Sequence, residues 1–222
     1  MKKTPLYIDR LPYKAQPLKK RLCALSIATV AFSFYGWCLE TLLFFIKFHT
    51  FCDRGLLTLP FCPMYGLSAL GMYFLLSTPL DGFWKKFREK GKTPLSRALR
   101  FCLCLLLYAV LTAAIATLTE FITGLFYHKA YGVRLWNYHR KQYNYKGYIS
   151  LRYSFIWGIL AALSMTLVWR SVTHALVRVP ENILLPLAVL LSAALIFDFA
   201  FNSVYLHRHG RRLIVELLFR RL

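Results

Sequence analysis

The sequence predicts an all-α integral membrane protein, a polytopic bundle of about five transmembrane helices. Its 222 residues are 58% apolar and 17% aromatic, and the mean hydropathy of +0.46 is too high for an ordinary soluble domain. Several apolar runs reach the roughly 20 residues that a helix needs to cross the hydrocarbon core. The Lys and Arg residues gather at the ends of these runs, where they set orientation and contact anionic lipid head groups. The net charge of +20 therefore does not indicate a nucleic-acid partner.

The chain divides into a basic arm, one membrane domain and a basic tail. Residues 1–21 form the arm, which the positive-inside rule places in the cytoplasm. The membrane domain covers 22–205, and the tail 206–222 alternates basic and apolar residues as an interfacial helix does. The predicted spans are 22–46, 60–78, 98–121, 149–169 and 183–205. Five spans in a bacterial inner membrane would place the tail on the side opposite to the N-terminus.

One segment of the sequence occurs twice. RGLLTLPFCPMYG at 54–66 aligns without a gap with KGYISLRYSFIWG at 146–158, and a carboxylate ends the apolar run before each copy, Glu40 and then Glu120. This spacing predicts two parallel two-helix repeats, 22–78 and 98–169, followed by a fifth helix, 183–205, without a counterpart. Because Pro63 lies deep in the second run, that run could also begin as a half-helix or a re-entrant segment.

The carboxylates inside the apolar runs are the candidate functional residues, because a charge in the membrane is costly and needs a partner. Glu40 and Glu120, with Arg54 and Lys146 at the repeated segment, form the main candidate site. Two interpretations remain open: the carboxylates hold the repeat loops structurally, or they line a cavity between the repeats and bind a cation, a proton or a basic group of a substrate. Asp198 and Asn202, one turn apart, are a second candidate, either as a proton relay or as an interhelical hydrogen-bonded lock.

A set of residues between 35 and 162 resembles a known pattern. It comprises Gly36, Trp37, Glu40, Arg54, Gly55, Leu56, Pro60, Pro63, Tyr65, Gly66, Glu120, Thr123, Gly124, Trp136, Tyr138, Asn144, Gly147, Ile149, Leu151, Trp157 and Gly158. The set is similar to that of the putative ABC-transporter type IV family of bacterial integral membrane proteins. The resemblance implies a permease-like subunit. The sequence departs from the family pattern at Asp53, where Asn is expected, at Asn137, where Asp is expected, and at Tyr148, where a basic residue is expected.

Two functions are compatible with these observations. One is the membrane subunit of a transport system, working as a homodimer or with a separate ATP-hydrolysing subunit that would contact the basic loop 81–97, since the chain carries no nucleotide-hydrolysing domain. The other is a membrane scaffold or regulator that binds a partner through the aromatic loop 136–148. We expect no enzyme and no cofactor, because no catalytic motif occurs. We expect no metal site, because His207 and His209 have no carboxylate or Cys nearby, and free thiols rather than a Cys52–Cys62 disulfide.

Overall fold

The computed structural model describes residues 16–53 and 55–213, and helices make up most of this part of the chain. The helices are α1 (Leu18–Phe48), α2 (Pro63–Leu76), α3 (Gly82–Glu89), α4 (Pro94–Tyr131), α5 (Leu151–Ser164), α6 (Arg170–Leu176) and α7 (Glu181–His209). A π-helical turn, Met165–Trp169, joins α5 to α6 without a break. Strands β1 (Asn144–Tyr145) and β2 (Ile149–Ser150) pair antiparallel. The predicted helical class is confirmed.

Four helical runs of the described chain are long and apolar enough to cross a membrane. They are α1, α4, the continuous run Leu151–Leu176 and α7. The second predicted span instead contains the 14-residue α2, which is about 21 Å long and too short for a hydrocarbon core of about 30 Å. A helix does not form earlier in this run because Pro60 and Pro63 lack N–H donors and disfavour helical geometry in the preceding residue.

The predicted ends of the membrane domain differ from those of the helices. Helix α1 begins at Leu18, inside the predicted arm 1–21, and α7 continues to His209, beyond the predicted end at Tyr205. Gly210 ends α7 in the left-handed conformation, with φ of 63°. Residues 1–15 of the arm and 214–222 of the tail lie outside the described residues.

The described chain divides into two compact units. The first contains 16–53, 55–67 and 171–213, and the second contains 68–170. In the first unit, α1 and α7 pack side by side through Cys23, Ile27, Leu184 and Ala188. The Oγ atoms of Ser26 and Ser192 lie 2.6 Å apart, and Lys19 pairs with Glu181 at 2.9 Å. From the Lys19–Glu181 pair to the Ser26–Ser192 pair, the residue number increases on both helices. Helices α1 and α7 therefore run in the same direction.

In the first unit, the chain folds back along α1 after that helix ends. The returning segment, loop 1 (residues 49–62), begins at His49, which adopts the left-handed conformation with φ of 54°. Loop 1 ends where Cys62 donates its N–H to the carbonyl of Ser33, at 2.8 Å. Ser33 precedes the end of α1 by 15 residues, or about 22 Å of helix. Loop 1 therefore places non-helical backbone at the level of the middle of α1.

A glycine makes the closest helix contact in each unit. Gly66 lies against Thr29 and Ser33 of α1, and Gly158 lies against Ala109 and Ala113 of α4. The two contacts are equivalent when Glu40 is aligned with Glu120. On each helix, the two residues that contact the glycine precede the glutamate by 11 and 7 residues. Glycine is needed at both places because a Cβ atom would overlap the facing helix.

The π-helical turn sets the direction of two side chains in the second unit. Trp169 is fully buried, and its ring centroid lies 5.7 Å from that of Tyr73. The next residue, Arg170, donates from Nε to Asp81 Oδ2 at 3.2 Å, and Thr78 donates its hydroxyl to the same oxygen at 2.7 Å. A π-helical turn contains one residue more than an α-helical turn, so it changes the face on which later side chains lie.

Substitution of Gly158 should destabilise the α4–α5 contact. We expect Gly158→Ala to cost about 1–3 kcal/mol because the added methyl group overlaps Ala113. Gly71→Ala is the matched control, since a Cβ at Gly71 meets no atom within 4 Å and helical Ala is favoured over Gly. Thermal unfolding of the detergent-solubilised protein measures both effects. Equal melting temperatures for the two variants would contradict the close contact.

Candidate functional site

The first carboxylate, Glu40, binds a tyrosine. Glu40 lies on α1 and is half-buried, and its Oε1 accepts a hydrogen bond from the hydroxyl of Tyr65 at 2.5 Å. Gly36 lies one turn before Glu40 and contacts the Tyr65 ring, and a Cβ atom at this position would overlap that ring. The absence of a side chain at Gly36 thus allows Tyr65 to cross α1 and reach the carboxylate.

The second carboxylate, Glu120, also binds a tyrosine. Glu120 is buried on α4, with 5% of its surface exposed, and its Oε1 accepts a hydrogen bond from the hydroxyl of Tyr138 at 2.8 Å. The Tyr138 ring stacks on that of Tyr153 with centroids 4.8 Å apart. One turn beyond Glu120, Gly124 leaves room for the rings of Trp136 and Tyr148. Loop 2 (residues 132–150) can therefore lie directly on α4.

The tyrosines that donate to the two carboxylates come from different parts of the sequence. Tyr65 belongs to the repeated segment, where it aligns with Trp157, whereas Tyr138 belongs to the part of loop 2 that precedes the second copy. Hydrogen bonds to a carboxylate are stronger than those between neutral groups. The chemistry at the two glutamates is therefore alike although the residues that provide it are not equivalent.

The structure does not group the four residues of the main candidate site. Glu40 and Glu120 belong to different units, and Arg54 lies outside the described residues. The Lys146 ammonium lies over the Tyr145 ring, 5.5 Å from its centroid, and the Lys146 carbonyl accepts a hydrogen bond from Arg134. The pairing of these bases with the glutamates stays a prediction.

The second candidate pair, Asp198 and Asn202, holds loop 1. Both side chains are buried on α7. Asp198 Oδ2 accepts the backbone N–H of Leu59 at 2.9 Å, while Oδ1 accepts from the Asn202 amide at 2.8 Å. The same amide donates to the Thr58 hydroxyl at 3.0 Å. Of the two interpretations, these contacts favour a hydrogen-bonded lock, although it joins α7 to a loop rather than to another helix.

Loop 2 makes the equivalent bonds within itself. Ser150 and Leu151 align with Thr58 and Leu59. The Ser150 hydroxyl donates to the carbonyl of Gln142 at 3.2 Å, and the Leu151 N–H donates to the carbonyl of Tyr143 at 3.2 Å. The interval from the carboxylate to the repeated Gly is 27 residues in the second copy against 15 in the first. Loop 2, the longer loop, thus contains its own acceptors, whereas loop 1 depends on acceptors of α7.

The residues that the sequence singles out at the two loops have local structural roles. Asn144 Oδ1 accepts the N–H of Gly147 at 3.1 Å, and Gly147 has φ of 75°, a conformation that favours glycine. Trp136 donates its indole N–H to the carbonyl of Tyr148 at 2.7 Å. Gly55 donates its N–H to Asp53 at 2.8 Å, and Pro63 begins α2.

The departures from the family pattern keep the local hydrogen bonds intact. Asp53 Oδ1 accepts the indole N–H of Trp37 as well as the Gly55 N–H, and an Asn oxygen could accept the same two bonds. Asn137 Oδ1 accepts the N–H of His139 at 2.9 Å, as an Asp oxygen would. The Tyr148 hydroxyl lies 2.5 Å from His128 Nδ1, and the Arg134 guanidinium lies over its ring.

A groove of about 400 Å³ opens in the second unit between α4 and the start of α5. Its walls include Ala113, Ala114, Thr117 and Ser154, all small, together with the larger Leu118 and Phe121. Thr117 precedes Glu120 by three residues, so the groove lies within one helical turn of the carboxylate. In the described chain, no cluster of three His, Cys, Asp or Glu residues could hold a metal ion, and all six cysteines are free.

These features define a polytopic helical membrane protein with one tyrosine-bound glutamate in each of its two units. The chain belongs to the putative ABC-transporter type IV family, whose model matches residues 27–203. The match begins within α1 and ends within α7, so it includes both glutamates and the Asp198–Asn202 pair. The comparisons with curated proteins and with solved structures find no match.

Loss of the Asp198 side chain should release loop 1 and leave loop 2 in place. Asp198→Ala removes two acceptors, including that of the Leu59 N–H, and a buried donor without a partner costs about 1–3 kcal/mol. Asp198→Asn keeps one acceptor oxygen and should have a smaller effect. Hydrogen exchange followed by mass spectrometry should show faster exchange in 55–62 but not in 142–151. Equal acceleration in both peptides would indicate general unfolding.

Proposed function

We propose that the protein is the membrane subunit of a transport system in which Glu40 and Glu120 bind a cation, a proton or a basic group of the transported solute. The observation that carries this proposal is the tyrosine-bound glutamate on the long helix of each unit. A carboxylate within a membrane-spanning helix is expensive to keep, so its presence there favours a functional site.

We infer that residues 22–78 and 98–169 are parallel repeats. The equivalent contacts of Gly66 and Gly158, and the placement of one carboxylate 7 residues beyond each contact, support a duplicated helix–loop–helix element. Helix α7 follows both repeats in the sequence and has no counterpart in either of them.

The parallel course of α1 and α7 supports five membrane crossings. If loop 1 and α2 did not cross, α4, the α5–α6 run and α7 would be the second, third and fourth crossings, and α7 would run antiparallel to α1. A crossing by loop 1 and α2 together restores the parallel direction. With a cytoplasmic N-terminus in the inner membrane, as the basic arm indicates, the tail after α7 then lies outside.

Reporter fusions test this topology. We expect a periplasm-dependent reporter fused after residue 213 to be active and a cytoplasm-dependent reporter at the same place to be silent, because five crossings separate the termini. The same pair of reporters fused after Lys90, in the basic loop 81–97, should show the opposite pattern. A periplasmic signal at Lys90 together with a cytoplasmic signal after residue 213 would mean four crossings and would contradict a crossing by α2.

Substitution of both glutamates tests the transport site. Purified protein should unfold at a higher temperature in the presence of a cation or small amine that binds its folded state. In a panel of monovalent cations, divalent cations and amines, Glu40→Gln with Glu120→Gln should abolish any such shift, whereas Glu89→Gln, at an exposed glutamate of α3, should preserve it. A folded double variant with an unchanged response would assign the glutamates a structural role.

The second candidate function is a scaffold or regulator that moves no solute. The observation in its favour is the exposed aromatic surface of loop 2, where Tyr143 is 81% and Tyr145 is 51% exposed. Exposed tyrosines of this kind are common in protein interfaces. Isolation of the protein from its native membrane distinguishes the two functions: an ATP-hydrolysing subunit in fixed proportion supports transport, and another membrane protein lost on Tyr143→Ala supports the scaffold.

A further inference from the structure

The segment between α2 and α4 carries a basic and aromatic surface that the proposed transport site does not use. From Asp81 to Arg100 the sequence has seven Lys or Arg residues and two acids. Both acids have cationic partners: Asp81 bonds to Arg170 at 3.2 Å, and Glu89 lies 3.9 Å from Lys85. Four exposed cations remain without such a partner, Lys86, Lys90, Lys92 and Arg97. We call these four residues the basic patch.

Helix α3, which carries part of the basic patch, is fixed to the rest of its unit. Trp84 is buried, donates its indole N–H to the carbonyl of Leu76 at 2.8 Å and packs edge-on against Tyr108. Reciprocal cation–π contacts join α3 to α4. Arg88 lies over Phe101 at 5.4 Å, and Arg100 lies over Phe87 at 5.3 Å. These contacts hold α3 against the first turns of α4.

The turn that holds the other basic residues is also well defined. Thr93 and Ser96 form a reciprocal capping box at the start of α4, and such a box fixes the direction in which a chain enters a helix. A Cβ at Gly91 would lie 2.8 Å from the Arg97 side chain, so the stem of Arg97 is folded over the turn. The basic patch is therefore presented by a rigid turn rather than by a free loop.

Exposed apolar side chains accompany the basic patch. Phe83 is 70% exposed on α3, and Leu95 and Leu99 are 70% and 63% exposed on the first turns of α4. Helix α4 has 38 residues, about 57 Å, so it extends beyond a hydrocarbon core of about 30 Å. Apolar groups beside cations at the end of a spanning helix match the boundary between acyl chains and head groups.

We propose that the α3–α4 turn binds anionic phospholipid head groups, with the basic patch contacting phosphate and Phe83 inserted among the neighbouring acyl chains. Charge complementarity favours this partner because the patch has four cations, and both nearby acids are engaged with other cations. The exposed Phe83, Leu95 and Leu99 favour a lipid over a soluble anion, which would not cover apolar surface. This inference does not depend on the proposed transport function.

Selective stabilisation by anionic lipid tests the proposal. We expect phosphatidylglycerol to raise the unfolding temperature of the full chain in neutral detergent more than phosphatidylcholine with the same acyl chains. The variant Lys86→Gln, Lys90→Gln, Lys92→Gln, Arg97→Gln should lower the apparent affinity for phosphatidylglycerol at least about tenfold. The matched control is Lys129→Gln, Arg140→Gln, Lys141→Gln, Arg152→Gln, which removes the same charge from exposed residues at or near loop 2 and should keep the selectivity.

A second measurement uses the unaltered protein and so does not depend on the folding of the variants. A phosphatidylglycerol analogue with a photoreactive head group should form adducts mainly in the peptide 82–97. Adducts confined to other peptides, or unchanged lipid selectivity in the patch variant, would overturn the proposal. So would normal lipid selectivity combined with loss of a co-purifying ATP-hydrolysing subunit, since the basic patch would then be a protein-binding surface.

Discussion

The bilayer interior provides no hydrogen-bond partners, so each peptide group at that depth must find one inside the protein. Helices meet this requirement by themselves, but loop 1 is not helical and returns to the level of Ser33, far inside α1. Its backbone is paired one group at a time. Ser33 accepts from Cys62, Asp198 accepts from Leu59, and Asp53 accepts from Gly55. The arrangement of the first unit follows from this need for acceptors.

The second unit meets the same requirement with a different part of the chain. Loop 2 is longer, and its strands and turns bring the carbonyls of Gln142 and Tyr143 to Ser150 and Leu151. In the first unit, the corresponding acceptors belong to α7: Asp198 Oδ2 accepts the N–H of Leu59, and Asn202 Oδ1 accepts the hydroxyl of Thr58. Helix α7 thus provides hydrogen-bond partners to loop 1, whereas loop 2 contains the corresponding acceptors itself. This hydrogen bonding to loop 1 accounts for the presence of Asp198 and Asn202 in the apolar helix α7.

The sequence predicted the helical class and the apolar runs, because composition and period reflect burial directly. It did not predict the phenols, since Tyr65 follows Glu40 by 25 residues while Tyr138 follows Glu120 by 18, and no shared spacing marks them. It placed Asp198 and Asn202 on one face correctly, but their partners Thr58 and Leu59 lie 139 to 144 residues away. Hydropathy also treated 60–62 as the beginning of a helical span, because an apolar segment with a non-helical backbone can have the same composition as a helix.

The separation between loop 1 and its acceptors has a consequence for the order of events during synthesis. The acceptors for Ser150 and Leu151 in loop 2 precede those residues in the sequence, so these bonds of the second unit can form while the chain is still growing. Loop 1 is made earlier, but its partners Asp198 and Asn202 follow Leu59 and Thr58 by 139 and 144 residues. Contacts of such long sequence separation form late. The first unit to be synthesised is therefore the last to become complete, and a chain truncated before α7 would contain a finished second half and an unfinished first half.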